Sequence, residues 1–123
     1  MKRYHKKIYF AHKQKIKDFT HSLNARQFRI TKHSIERVSE QLSFFKLERL
    51  LTFIKDIKLD YNSIFEYYIN DNKQIEKACY RVNYTSENDI ILVISKNKEL
   101  ITVYLNEITD NHITLNKSLY VKN

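Results

Sequence analysis

The spacing of apolar residues changes once along the chain, near Lys58. Upstream of it, Ile8, Phe10, Ala11, Ile16, Phe19 and Leu23 recur near helical spacing, with Lys13, Lys15 and Lys17 between them. This predicts an amphipathic helix over residues 9–23, stopping near Asn24. Phe28 and Ile30 flank Arg29 in a brief extended piece. Thr31 can cap a second helix with the stripe Ile35, Val38 and Leu42, and Ser43 can cap a third. The third is striped by Leu47, Leu50, Leu51, Ile54 and Ile57, the clearest helical pattern in the chain.

Downstream, the period becomes that of strands. Residues 64–69 are rich in aromatic and β-branched side chains, and Asp71-Asn72 can turn the chain. In residues 78–84, Ala78, Tyr80, Val82 and Tyr84 share one face while Cys79, Arg81 and Asn83 share the other. Residues 86–89 read as a turn, and residues 90–94 as a central strand because they are apolar on both faces. Residues 96–99 turn again into a strand over 100–105, and a last strand is expected over 113–121. Helices followed by an antiparallel meander define an α+β fold. Two or three N-terminal helices are expected on one face of a four- to five-stranded antiparallel sheet. At 123 residues the chain is expected to be one domain, with residues 1–8 as a loose basic arm.

Glycine and proline are both absent, so turns must rely on asparagine, aspartate and serine, and glycine-rich phosphate loops are excluded. The single cysteine, Cys79, rules out an internal disulfide and a cysteine-rich zinc site; a reducing, cytoplasmic or virion-associated setting is expected. Cys79 itself reads as a buried, inert thiol. No long apolar run follows the basic start, so no membrane partner is expected. His5, His12, His21, His33 and His112 offer no ligand pair at helical spacing with a carboxylate between, so neither metal nor cofactor is expected. His12 and His21 read as packing or solubilising residues.

Charge is divided unevenly. Residues 1–37 carry eleven Lys/Arg against two acidic residues, net +9, whereas residues 38–123 carry eleven against twelve, net −1. A polyanion, RNA or another nucleic acid, is the partner this asymmetry favours.

His33 and Arg37 lie four residues apart on one helical face, while Arg81 with Asn83 and Thr102 with Tyr104 occupy polar positions on strands. Metal-free RNA cleavage needs such a set. The attacking 2′-hydroxyl loses a proton, the leaving 5′-oxygen gains one, and fixed donors hold the phosphoryl charge. His33 suits proton transfer, Arg37 and Arg81 suit phosphate, Tyr104 can donate a proton or stack on a base, and Thr102 can hydrogen-bond phosphate. Lys13, Lys15, Lys17, Lys32 and Asn83 are the expected RNA-binding residues. The same pattern also describes an exposed helix and a half-solvated sheet with no chemistry at all.

At Ile30-Thr31-Lys32-His33-Ser34-Ile35-Glu36-Arg37 the chain resembles the toxins and small proteins of the RelE and colicin-like ribonuclease superfamily. The match is to a helix start of Phe/Ile, Ser/Thr, any residue, His, Ala/Ser, any two, Arg. The likeness continues through Ala78-Cys79-Tyr80-Arg81-Val82 and Ile90-Ile91-Leu92-Val93-Ile94 to Leu100-Ile101-Thr102-Val103-Tyr104, covering residues 28–105. It implies helices on a four-stranded antiparallel sheet and metal-independent RNA endonuclease activity, with His33, Arg37, Arg81, Thr102 and Tyr104 as functional positions. It also points to phages and other mobile elements, where such domains occur. Gln41 stands where these proteins often carry a second arginine, which removes one phosphate-binding charge. The sequence thus leads with a toxin-like ribonuclease. Its rival is a non-catalytic nucleic-acid-binding or phage interaction protein using the basic N-terminal region, and a third reading is a basic face that meets an inhibitory or acidic protein.

Overall fold

The computed structural model describes residues 2–5, 12–26, 28–40 and 42–109. In chain order the elements are β1 (Lys2–His5), α1 (Lys13–Arg26), β2 (Arg29–Ile30), α2 (Lys32–Ser39) and α3 (Phe44–Asp56). A 3₁₀ turn (Tyr61–Ser63) then leads to β3 (Ile64–Ile69), β4 (Ile75–Asn83), β5 (Asn88–Ser95) and β6 (Glu99–Glu107). One mixed sheet of order β1-β3-β4-β5-β6-β2 results. The expected α+β architecture, with helices preceding a mostly antiparallel sheet, is the one observed.

Helix positions follow from where apolar residues fall. Ile16, Thr20 and Leu23 on α1 are buried at i, i+4 and i+7, and Leu50 and Ile54 on α3 are fully buried. Thr31 caps α2 as expected: its hydroxyl oxygen accepts from the Ser34 N–H at 3.2 Å. The same hydroxyl donates to the Leu100 carbonyl at 2.7 Å, so the cap also pins α2 to β6. α2 ends at Ser39, short of Leu42, which nonetheless packs half-buried against the core. Ser43 occupies the α3 cap position in extended backbone, but its side chain makes no capping bond.

The four-strand meander β3 to β6 carries most of the sheet, and two short strands extend it. Lys2–His5, within the segment expected as a loose arm, pairs antiparallel with β3 as an edge strand of the sheet. β2 pairs parallel with β6, which makes the sheet mixed where an antiparallel one was expected. That junction is fixed by the Arg29 N–H donating to the Lys98 carbonyl at 2.7 Å and by an Arg29–Glu99 ion pair at 2.8 Å. The strand expected over 113–121 lies outside the described residues.

The principal core lies between helices and sheet, where Tyr67, Tyr80, Ile90, Leu92 and Ile94 meet Ile16, Leu23, Val38, Leu50 and Ile54. Each fully buried aliphatic side chain there contributes about 1.5–3 kcal/mol relative to exposure. On the opposite face Phe65, Cys79 and Ile91 form a smaller cluster, with Tyr68, Val93 and Tyr104 around it. The alternation expected for β4 holds, but the β5–β6 pairing shifts register between Val93 and Ile94, leaving Ile101 of β6 without an opposite residue. The core side of β6 is therefore Leu100, Val103 and Leu105, whereas simple alternation opposite Thr102 and Tyr104 expects Ile101 beside Val103 and Leu105.

Side chains do the work of glycine in the turns. The Asn70 side-chain oxygen accepts from the N–H groups of Asn72 and Gln74, both at 3.0 Å, and the Thr85 hydroxyl accepts from Glu87 and Asn88. Lys73 and Lys98 hold left-handed backbone at φ 60°, an arrangement that favours glycine, which this chain lacks.

Candidate nucleic-acid interface

The residues singled out for RNA cleavage separate into two groups. Arg81, Asn83, Thr102 and Tyr104 share the sheet face away from the helices: Arg81 and Tyr104 both pair with Ile91, and Thr102 pairs with Val93. His33 is exposed on the first turn of α2, and α2 packs on the helical side through buried Ser34 and Val38. Arg37 belongs to the same helix. Neither a hydrogen bond nor an ion pair joins His33 to Arg81 or Tyr104, because the sheet lies between the α2 contact and the face they occupy.

Arg81 serves as a tie between strands. Its Nε donates to Asp89 Oδ2 at 2.7 Å and its Nη2 to the Glu107 carbonyl at 3.1 Å, so one guanidinium staples β4, β5 and β6. The Arg81 and Asp89 side chains are only 13% and 16% exposed. A phosphate recruiting Arg81 would thus have to disrupt a largely dry ion pair, which is strongly unfavourable. The Asn83 amide donates to Asp89 Oδ1 at 3.2 Å and to the Thr85 carbonyl at 2.9 Å. Tyr104 packs against the smaller apolar cluster. Four of the expected site residues are brought together, and the contacts they make are those of a sheet held in register.

The lysines of the helical layer are displayed differently. Lys15 and Lys32 are exposed, while Lys13 and Lys17 are half-buried. The Lys15 ammonium donates to the Lys73 carbonyl in the β3–β4 turn. The Lys17 ammonium stands 4.9 Å from the centroid of the Tyr61 ring, a cation–π contact. Around Lys17 opens a groove of about 700 Å³ between α1 and the chain entering the 3₁₀ turn, lined among others by Asp18, His21, Lys58, Asp60 and Tyr61.

One side chain holds both walls of this groove together. The Asn24 Nδ2 donates to the Leu59 carbonyl at 2.7 Å, and the Leu59 N–H donates to Asn24 Oδ1 at 2.8 Å. Leu59 is 4% exposed, which anchors the wall in the core. A short second tie runs beneath α1, where the buried hydroxyls of Thr20 and Tyr80 hydrogen-bond at 2.8 Å. Sequence spacing reads Asn24 as a helix terminator and residues 58–63 as a change of period. Their pairing, 35 residues apart, leaves no local signal.

Two titratable groups between the helices and the sheet are shifted by their surroundings. His12, which meets the Tyr67 hydroxyl at 3.1 Å, has its pKa lowered by burial and secondarily by the Lys15 charge, which favours the neutral ring. Burial raises the Tyr80 phenol well above the usual tyrosine range, more than its bond with Thr20 lowers it. Among the described residues no three of His, Cys, Asp or Glu converge as metal ligands.

The fold defines the class: an α+β protein with three helices on one face of a mostly antiparallel sheet and a lysine-bordered groove in the helical layer. No family model, no curated protein and no solved structure matches the chain. Among the described residues no helix is long and apolar enough to cross a membrane.

Proposed function

We propose that this protein binds nucleic acid through the lysines of its helical layer and acts without catalysing a reaction. The observation that carries this reading is how charge is divided over the fold. Residues 12–60, which hold the three helices, carry eleven Lys/Arg against six Asp/Glu, net +5. Residues 61–109, which hold the meander, carry five against seven, net −2. This weighting favours approach of a phosphate backbone to the helical layer. RNA cleavage, the activity implied by the resemblance to RelE-like toxins, would require His33 to meet Arg81 and Tyr104 at one phosphate. Their separation between layers favours binding without cleavage.

The test is fluorescence anisotropy with labelled DNA and RNA oligonucleotides over a salt series. Binding should weaken linearly in log–log form, with a slope of about −0.7 to −0.9 per neutralised phosphate. Lys13→Glu/Lys15→Glu/Lys17→Glu should lose at least tenfold in affinity, while the sheet-side reversal Lys96→Glu should change it less than twofold. Absence of salt-sensitive binding to any oligonucleotide would overturn the proposal. RNA incubated with the protein in EDTA should stay intact; 2′,3′-cyclic phosphate ends that vanish in His33→Ala would reinstate the ribonuclease.

A further inference from the structure

We infer that the groove between α1 and residues 58–61 seats one unpaired nucleotide of a single-stranded polynucleotide. This rests on the binding proposed above and adds where the strand lies and why a duplex is disfavoured. Lys17 and Lys58 both line the groove, and Tyr61 restrains the Lys17 ammonium through the 4.9 Å contact with its ring. His21, one turn beyond Lys17 on α1, adds a further nitrogen ligand for phosphate. Asn24 fixes the spacing of the walls through its two bonds to Leu59, so the site is formed before a ligand arrives.

The same groove contains two carboxylates, which a site for phosphate alone would exclude. Asp18 accepts from the Gln14 amide at 2.9 Å and Asp60 from the Asn62 N–H at 3.0 Å, each through its Oδ1. Among the described residues neither Oδ2 has a protein partner. Nucleobases carry N–H donors on their pairing edges; a duplex leaves only one amino hydrogen of adenine or cytosine open, in the major groove, so the whole edge reaches a protein acceptor only when the base is unpaired. Two lysines beside two aspartates therefore suit a whole nucleotide, phosphate at the lysines and base edge at the aspartates. The volume of about 700 Å³ falls within the roughly 300–1,000 Å³ of small-ligand sites.

Anisotropy with labelled twelve-nucleotide probes separates this from general polyanion binding. Single-stranded oligo(A) and oligo(C), as RNA and as DNA, should bind at least tenfold tighter than the same strands in duplex or an abasic strand of equal length. Lys17→Gln/Lys58→Gln should remove most of that single-strand advantage. Asp18→Ala/Asp60→Ser, whose serine keeps an acceptor for the Asn62 N–H, should erase the difference between base-bearing and abasic strands. Equal binding of single strand, duplex and abasic strand overturns the inference. So does wild-type affinity in Lys17→Gln/Lys58→Gln when Lys13→Glu/Lys15→Glu abolishes binding, a result that leaves the broader reading standing. No binding of any probe overturns both.

Discussion

Truncating Asn24 to alanine tests whether the groove is held by the pairing with Leu59. The substitution deletes two hydrogen bonds, at 2.7 and 2.8 Å, and leaves the Leu59 N–H and carbonyl without partners. Leu59 is 4% exposed, so water replaces the lost side chain poorly. An unsatisfied buried backbone group costs about 1–3 kcal/mol, and with partial hydration through the space vacated the pair should cost about 2–4 kcal/mol. A chain of 123 residues has an unfolding entropy of about 0.26 kcal/mol/K, so the melting temperature should fall by about 8–15 °C. Urea and thermal unfolding followed by circular dichroism read the loss directly. Hydrogen exchange at the Leu59 amide should accelerate more than exchange in β4 or β5. Gln14→Ala, which removes only an exposed side-chain bond to Asp18, should stay within about 0.5 kcal/mol of wild type. An Asn24→Ala loss no larger than that control would refute the claim that this pairing holds the groove's walls.

Tyr80 and the two left-handed lysines allow further checks. The unfolded Tyr80 phenol ionises near pH 10 whereas the native one, raised by burial, keeps its proton. The stability contributed by neutral Tyr80 is therefore complete below about pH 10 and declines as pH rises above it. Urea midpoints between pH 9 and 11.5 should show that decline, and it should be shallower in Tyr80→Phe; equal slopes would contradict the burial argument. Replacing Lys98 or Lys73 with glycine should stabilise the protein by about 0.5–1 kcal/mol, since relief of left-handed strain exceeds the added chain entropy. A destabilised glycine variant in the same denaturation assay would show that the lysine side chain matters more than its backbone.

Much of the fold can be read from local pattern, because local pattern is what creates it. Thr31 caps α2, the α3 stripe buries Leu50 and Ile54, and Ala78, Tyr80 and Val82 face the helices in the expected alternation. The misplacement of Ile101 traces to a bulge, which shifts parity by one residue and has no signature in a glycine-free strand. Site residues were harder to read because their partners are remote or disguised. Asp89 reads as a turn residue, yet on β5 it holds Arg81 and Asn83, which turns candidate phosphate ligands into structural ties. Lys58, Asp60 and Tyr61 sit where periodicity changes, and the Asn24–Leu59 pairing and the Lys17–Tyr61 contact that bring them to α1 are remote in sequence.

The placement of β1 and β2 has a consequence for biosynthesis. Both come from the N-terminal third, yet they occupy the two opposite borders of the sheet, with Lys2 aligned to Ile69 and Arg29 to Glu99. A nascent chain leaving the ribosome therefore holds its border strands in waiting until the meander between them has emerged. Closure of the sheet therefore waits on the meander and depends on contacts between residues distant in sequence. Removing the first thirty residues would leave both flanks of the meander unpaired, inviting lateral association between chains.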